Sequence, residues 1–223
     1  MLPVLVFILF IQQFQKPALP NCRTEKAMEA LGLLDVQAIH PGIKVSLAYS
    51  EKENFIGFDV YGCVSRAFLQ REAAMKLAQA QRALEKELPG YSLLIWDAAR
   101  PRSAQKILWD SIKKPEKVKH VYVANPNRGS IHNYGCAVDL TIADPKGKAI
   151  DMGTGFDYFG ELAQPRLEAR LLKTGRLSAT QITNRKRLRS IMQKAGFMPI
   201  SSEWWHFNFC SLARAKSKYK PVP

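Results

Sequence analysis

The feature that most constrains the fold of this chain is a carboxylate inside an apolar strand. Residues 137 to 142 read Ala-Val-Asp-Leu-Thr-Ile, and Gly135 and the turn sequence Asp144-Pro145-Lys146-Gly147 bound the run. A short apolar run between such residues is typical of a buried strand. An unpaired carboxylate at Asp139 would be costly there. The fold must therefore supply Asp139 with a partner.

Two imidazoles and a second carboxylate are candidates to join Asp139. His132 lies seven residues before it, and Glu203 precedes His206 by three residues. Positions seven apart on an uninterrupted strand face opposite sides, so convergence needs a turn, which Gly135 permits. Two imidazoles and one carboxylate with an open fourth position are typical of catalytic zinc. His132, Asp139 and His206 are the predicted ligands of one Zn²⁺ per chain, and Glu203 is the predicted general base.

The remaining hydrophobic pattern mixes helices and strands without a regular rhythm. Leu69, Ala73, Leu77, Ala80 and Leu84 recur at helical spacing. Helices are predicted over residues 69–88, 103–112 and 180–194, and strands over residues 44–49, 91–96, 134–142 and 204–209. This order predicts an α+β fold: a single compact domain with a small, mostly antiparallel sheet flanked by helices and the zinc site between strands.

The composition is that of one globular domain with its own core. The 223 residues are 47% hydrophobic and 23% charged. Four cysteines are too few for a disulfide framework, although one or two disulfides stay open. If the chain is exported, Cys136 is a candidate partner of Cys63 or Cys210.

The N-terminus predicts export. The apolar run from Leu2 to Ile11 is shorter than the roughly 20 helical residues that span a bilayer, and it fits the core of a secretory signal. We expect residues 1–22 to be a signal peptide or lipoprotein-type leader, with Cys22 as one processing point, and residues 23–223 to be the catalytic domain. The expected location is periplasmic or envelope-associated, without a transmembrane span in the mature protein; the alternative is cytoplasmic.

The whole chain has a formal net charge of +14. Most of this positive charge lies in the second half of the chain. Between residues 166 and 194, Glu168 is the one acid among nine basic residues, which are Arg166, Arg170, Lys173, Arg176, Arg185, Lys186, Arg187, Arg189 and Lys194. Such a stretch suits nucleic acid, an anionic envelope polymer or simple solubility. Because no nucleic-acid motif accompanies it, we expect no nucleic-acid partner and favour a solvated surface or envelope contact.

Several motifs together resemble one known family. The pattern Ser-x-His-x-x-Gly-x-Ala-x-Asp over residues 130–139 and Glu-Trp-Trp-His over residues 203–206 resemble the zinc D-alanyl-D-alanine dipeptidases, which include the vancomycin-resistance dipeptidases. Asp97-x-x-Arg100-Pro101 and the segment from Asn184 to Met192 also resemble motifs of this family. The resemblance runs from about Val45 to Phe209. Ala99 departs from it where the family usually has Tyr, and Cys136 departs where the family has a small residue.

The resemblance implies hydrolysis of D-alanyl-D-alanine to two D-alanines, in peptidoglycan turnover or precursor metabolism. It implies the zinc ligands and the base already named. It further implies that Arg100 stabilises the oxyanion, that Ser130 holds the substrate carboxylate, and that Tyr49 and Asp157 receive the amino terminus.

Two other functions stay open. One is a D,D-carboxypeptidase or an L-alanyl-D-glutamate endopeptidase with the same metal site. The other is a non-catalytic, zinc-stabilised domain that docks on anionic wall polymer. Only the dipeptidase needs Tyr49 and Asp157 to close the pocket, and only an enzyme needs Glu203.

Overall fold

The computed structural model describes residues 21–223, which form one α+β domain. Its strands are β1 (Leu33–Asp35), β2 (Lys44–Val45), β3 (Phe68–Gln70), β4 (Ser92–Asp97), β5 (Ala137–Ala143), β6 (Met198–Pro199) and β7 (His206–Asn208). Its α-helices are α1 (Arg23–Ala30), α2 (Val36–Ile39), α3 (Arg71–Glu87), α4 (Arg102–Ser111), α5 (Glu116–Lys119), α6 (Glu168–Lys173), α7 (Ala179–Lys194) and α8 (Leu212–Lys218).

The larger sheet has five strands in the order β2-β4-β5-β7-β6. Strand β2 is parallel to β4, and the other neighbours are antiparallel. Strands β1 and β3 form a separate antiparallel pair. The prediction of an α+β domain with a mostly antiparallel sheet is therefore confirmed.

The sheet register assembles the polar centre of the molecule. Asp139 on β5 pairs with Asp97 on β4 and with His206 on β7. The register shifts between Ile95 and Asp97, a local irregularity just before the end of β4. Three polar residues from three adjacent strands thus lie side by side at one end of the sheet.

The core forms because the apolar face of α3 packs on the sheet and on α7. Ala73, Leu77, Ala80 and Leu84 of this face are fully buried, as the helical spacing predicts. Leu69 lies in β3 instead, because the chain is still extended there and the helix begins at Arg71.

Several predicted boundaries change in the fold. The strand expected over residues 44–49 ends at Val45, and a 3-10 helix follows at Ala48–Ser50. The strand expected from Tyr134 begins only at Ala137, because a 3-10 helix occupies Ile131–Tyr134. Helix α4 begins at Arg102, one residue before the predicted start at residue 103, and Pro101 is its N-cap residue. Helix α7 begins one residue before its predicted range of residues 180–194 and ends with it. It has a capping box at Ser178, and Gly196 with φ +96° follows its C-cap.

The cysteines pair differently from the pairings considered for Cys136. Cys22 and Cys63 form a disulfide across 41 residues, whereas Cys136 and Cys210 are free and buried. Neither pairing considered for Cys136, with Cys63 or with Cys210, is formed. Most of the expected leader lies outside the described residues, but Cys22 itself is buried in the domain. Among the described helices, none combines the length and apolar character that a membrane crossing requires.

Much of the basic stretch is neutralised within the fold. Arg170 and Arg176 both pair with Glu161, which precedes the stretch in sequence. Further partners lie on α3 and α6, in the ion pairs Arg187–Glu87 and Arg189–Glu168. The surface is therefore less positive here than the sequence alone suggests.

Candidate active site

A tight turn before β5 brings His132 back towards Asp139. Ser130 caps the turn, since its side chain accepts from the His132 N–H and its own N–H donates to Asn133 Oδ1 at 2.8 Å. Gly135 follows in the left-handed region with φ +64°. A Cβ at this position would lie 2.7 Å from Leu33 Cδ2, so both backbone and space require glycine. The predicted reversal at Gly135 is confirmed.

The three predicted ligands converge with their donor atoms facing one another. His206 Nδ1 lies 2.8 Å from Asp139 Oδ1, and His132 Nε2 lies 3.3 Å from Asp139 Oδ2. The two ring nitrogens are 3.2 Å apart. All three residues can offer one ligand atom within 4.8 Å of the others. The geometry joins residues separated by up to 74 positions into one group.

The outer hydrogen bonds of both rings suit a metal ion. His132 Nδ1 donates to the carbonyl oxygen of Ala98 at 2.7 Å, which leaves its Nε2 lone pair directed inward. His206 Nε2 donates to Asn208 Oδ1 at 2.9 Å, which likewise leaves Nδ1 directed inward. Two inward lone pairs beside a carboxylate need a positive charge between them. The donor set therefore fits a divalent cation that accepts nitrogen and oxygen ligands.

The electrostatics of the group agree with this need for a cation. Burial raises the pKa of Asp139, but the charges and hydrogen bonds of His132 and His206 bring that pKa well below its ordinary value overall. Burial lowers the pKa of His206, but the Asp139 carboxylate raises it to about 9 overall. In a protein without metal, a proton would thus occupy the place that a cation takes.

Glu203 lines the same cavity beside this group. It is half-buried, and burial is the main cause that raises the pKa of its carboxyl group above the ordinary value. Among the described residues, no hydrogen bond engages its carboxylate. A carboxyl group with a raised pKa and no competing partner is suited to accept and return a proton.

Arg100 is held next to the ligand group by a buried network. Its Nε donates to Asp97 Oδ2 at 2.8 Å, its Nη1 donates to Gln105 Oε1 at 3.0 Å, and its Nη2 lies 3.7 Å from Asp139 Oδ2. Tyr61 donates its hydroxyl to the other oxygen of Asp97. The guanidinium is therefore fixed in orientation and borders the cavity. Arg100 thus forms a structural salt bridge with Asp97 and also lines the cavity.

Tyr49 and Asp157 meet at another part of the cavity wall. The Tyr49 hydroxyl donates to Asp157 Oδ2 at 2.7 Å, although the residues are 108 positions apart. Asp157 has φ +54°, the one positive φ of a non-glycine residue in the described chain. Burial raises the pKa of Asp157 to about 8. Phe55 and Phe156 pack against the ring of Tyr49.

One cavity of about 520 Å³ joins all these groups, a volume typical of small-molecule sites. All eight predicted site residues line it: Tyr49, Arg100, Ser130, His132, Asp139, Asp157, Glu203 and His206. Cys136 does not, and its Sγ instead lies 3.5 Å from the carbonyl oxygen of Tyr134. The motif departure at Cys136 therefore leaves the ligand group unchanged.

Some residues of the site are absent from the sequence prediction. Asn208 orients His206. Because residues two positions apart on a strand lie on the same face, strand periodicity could have identified Asn208. Gln105 on α4 supports Arg100, and Arg128 lines the cavity. No local pattern marks Gln105 or Arg128, although Gln105 lies five positions after Arg100 and Arg128 lies two positions before Ser130.

The fold and the site together define a class of protein: an α+β domain in which three side chains that can hold a metal ion lie beside a carboxylate in a small cavity. Comparison with known proteins then identifies the family. A family profile described as D-ala-D-ala dipeptidase, of the Peptidase M15 group, matches residues 29–220. The chain belongs to this family, which is metal-dependent, and it is a metallopeptidase.

Individual D-alanyl-D-alanine dipeptidases are also similar in sequence to most of this chain. A D-alanyl-D-alanine dipeptidase of Escherichia coli (strain K12) is 36% identical over 175 residues, which cover 78% of this chain and 83% of the relative. One from Enterococcus faecium is 31% identical over 192 residues, covering 79% and 91%. A solved LD-carboxypeptidase, LdcB, is 22% identical with a TM-score of 0.42, covering 67% of this chain and 63% of that chain.

Proposed function

We propose that this chain is a zinc-dependent dipeptidase that hydrolyses D-alanyl-D-alanine to two D-alanines. The observation that carries the proposal is the convergence of His132 Nε2, His206 Nδ1 and the Asp139 carboxylate beside Glu203. The dipeptidase relatives support the substrate. Two imidazoles and one carboxylate with an open position favour zinc over the hard cations, which prefer oxygen ligands alone.

The residues of the chain divide the chemistry among them. A zinc ion held by His132, Asp139 and His206 would supply a Lewis acid that lowers the pKa of water and polarises a carbonyl group. Glu203 takes a proton from the attacking water and delivers it to the leaving amine. Arg100 presents a fixed positive charge to the oxygen on which negative charge develops, and its salt bridge to Asp97 fixes its direction.

The ends of the substrate require opposite charges. Asp157, supported by the Tyr49 hydroxyl, receives the free ammonium group of the dipeptide. Binding of this ammonium group favours the ionised form of Asp157, whose pKa burial raises to about 8 in the free protein. Ser130 contributes a hydroxyl group to the C-terminal carboxylate. A substrate longer at its amino end would bury Asp157 without a countercharge.

A substrate panel tests this function against its rivals. Purified full-length protein is incubated with D-Ala-D-Ala, N-acetyl-D-Ala-D-Ala and a stem pentapeptide, with and without a chelator, and released D-alanine is measured. We expect chelator-sensitive cleavage of the free dipeptide alone, restored by Zn²⁺. Cleavage of the blocked or longer substrates would identify a D,D-carboxypeptidase or an endopeptidase. Zinc binding without any cleavage would indicate the non-catalytic binding domain.

We also propose that the protein is exported and works in the periplasm or at the envelope. The disulfide between Cys22 and Cys63 supports this location, because such bonds persist in oxidising compartments. The apolar run at residues 2–11 supports it independently. Cell fractionation with alkylation of free thiols tests the location. Recovery in the cytoplasm with all four cysteines alkylated would contradict it.

Contact with anionic envelope polymer is a separate part of this proposal. The basic residues between positions 166 and 194 support it, but several of them already pair with Glu161, Glu87 or Glu168. Sedimentation with purified anionic wall polymer at low and high salt tests the contact. Failure to co-sediment at low salt would remove it.

A further inference from the structure

The cavity lining contains one arginine to which the proposed function assigns no role. Of the two guanidinium groups in the lining, Arg100 is already bonded to Asp97 and Gln105. The other is Arg128, which is exposed at the cavity edge. Within residues 21–223, the Arg128 side chain forms no ion pair or hydrogen bond. Arg128 is therefore a free positive charge at the site.

The backbone around Arg128 is ordered by a compact turn. The N–H groups of Arg128 and Gly129 donate to the carbonyl oxygen of Asn125 at 3.0 and 2.9 Å, and Asn127 N–H donates to Asn125 Oδ1 at 2.9 Å. Gly129 has φ +80°, which turns the chain directly into the buried Ser130. Arg128 therefore emerges two residues before the residue proposed to hold the substrate carboxylate.

Arg128 lies in a loop of residues 124–130, and hydrogen bonds connect this loop to the side chain of Arg100. Gln105 accepts from Arg100 Nη1 through its side-chain oxygen and donates through Nε2 to the carbonyl oxygen of Ala124 at 2.7 Å. The start of the loop is thus fixed to the Arg100 side chain, and its end is fixed at Ser130 by Asn133. A loop held at both ends presents the base of the Arg128 side chain at a defined place on the cavity edge.

We propose that Arg128 binds the C-terminal carboxylate of the substrate together with Ser130, and that it selects substrates with a free carboxylate. The inference rests on the proposed dipeptidase function. A zwitterionic dipeptide brings a cation that Asp157 can receive and an anion that needs a partner. A guanidinium group matches a carboxylate in shape and charge, whereas a hydroxyl group supplies one hydrogen bond and no charge.

The test compares the free acid with its amide. Kinetic constants are measured for D-Ala-D-Ala and for D-Ala-D-alaninamide, using the inhibition constant of the amide where its turnover is too slow. The variants are Arg128→Ala and Arg128→Lys. The matched control is Arg102→Ala, which removes an exposed guanidinium group on α4 outside the cavity lining.

We expect Arg128→Ala to raise KM for the free acid about tenfold or more while kcat changes less than about twofold, since charge-assisted hydrogen bonds are the strong ones. Constants for the amide should stay unchanged, Arg128→Lys should recover part of the loss, and the control should match wild type. Added salt should raise KM of wild type for the free acid more than KM of Arg128→Ala.

Each other outcome overturns the inference in a recognisable way. An unchanged KM for the free acid in Arg128→Ala would show that Arg128 is dispensable while the dipeptidase function stands. Equal losses for acid and amide would show that the residue only shapes the loop. If wild type cleaves neither dipeptide, the proposed function fails and the inference fails with it.

Discussion

At the scale of single residues, Glu203 separates an enzyme from a metal-stabilised binding domain. Replacing its carboxylate with an amide removes the proton acceptor but keeps the size of the side chain. We expect Glu203→Gln to lower kcat for D-Ala-D-Ala by about 10²–10⁴-fold, the usual contribution of a general base. Because Glu203 is not among the converging ligand residues, zinc content should stay at one ion per chain.

Turnover assays and elemental analysis of the same preparation check this prediction. Glu53→Gln is the matched control, since Glu53 is an exposed carboxylate outside the cavity lining. Full activity in Glu203→Gln would remove the proposed mechanism.

The burial of Asp157 makes the free energy of unfolding depend on pH. Burial raises its pKa from 3.8 to about 8, so the folded protein holds a proton that the unfolded chain releases. This group therefore lowers the free energy of unfolding as pH rises from about 4 to about 8. Asp157→Asn keeps an acceptor for the Tyr49 hydroxyl and removes the penalty.

We therefore expect Asp157→Asn to gain stability relative to wild type as pH rises from 5 to 9, while its KM for the dipeptide increases. Urea unfolding at several pH values measures the difference. The control is Asp110→Asn, which changes an exposed carboxylate on α4. Its free energy of unfolding should change with pH in the same way as that of wild type. Parallel curves for Asp157→Asn would show that the pKa of Asp157 is not raised.

Asn208 orients His206, a ligand of the proposed zinc site. Its side-chain oxygen accepts the outer N–H of the His206 ring at 2.9 Å, so its loss frees the ring to rotate or change tautomer. We expect Asn208→Ala to weaken zinc binding by about 10–100-fold, as for other residues that orient ligands. Competition with a chelator of known affinity measures this change. Unchanged affinity would show that strand β7 alone fixes the ring.

At the scale of elements, the turn at Gly135 decides whether His132 and Asp139 converge. Alanine there would adopt φ +64° and place its Cβ 2.7 Å from Leu33 Cδ2 and 3.2 Å from the backbone nitrogen of Gln70. Left-handed backbone alone costs a non-glycine residue roughly 1–2 kcal/mol. We expect Gly135→Ala to cost more than this and to weaken zinc binding, because the turn must shift.

Gly147→Ala separates backbone strain from the close contact. Gly147 has φ +81°, but nothing lies within 4 Å of a Cβ built on it. We expect this control to lose stability without losing zinc affinity. Chemical unfolding and zinc competition on both variants make the comparison. Equal effects of the two variants would show that packing against Leu33 does not matter to the site.

At the scale of the whole molecule, the disulfide ties the start of the domain to the loop at Cys63. It closes a loop of 41 residues, for which the chain-entropy model predicts about 4 kcal/mol of stabilisation. We expect the double variant Cys22→Ser/Cys63→Ser to unfold at lower urea concentration than wild type. A reductant should lower the wild-type midpoint towards that of the variant.

Thiol counting gives an independent check of this pairing. Alkylation of denatured, unreduced protein should label Cys136 and Cys210 and leave the other two cysteines unlabelled. Labelling of all four would contradict the disulfide, and with it the main structural support for export.

The sequence by itself determined the chemical inventory of this protein and the elements that carry it. Hydrophobic spacing located most of α3 and α7, because a helix face and the core it covers share one local period. The cost of an unpaired carboxylate in an apolar strand pointed to Asp139, and the turn at Gly135 followed from chain geometry. These inferences depend on residues close together along the chain.

Only the tertiary structure decided how the distant groups meet, and it added partners that the sequence analysis did not name. Sheet register places Asp97 and His206 on either side of Asp139, and a loop fixed through Gln105 carries Arg128 to the cavity. The disulfide partner of Cys63 was equally undetermined by the sequence. Such contacts join residues tens of positions apart, and their pairing follows from packing of the whole chain, which no local pattern records.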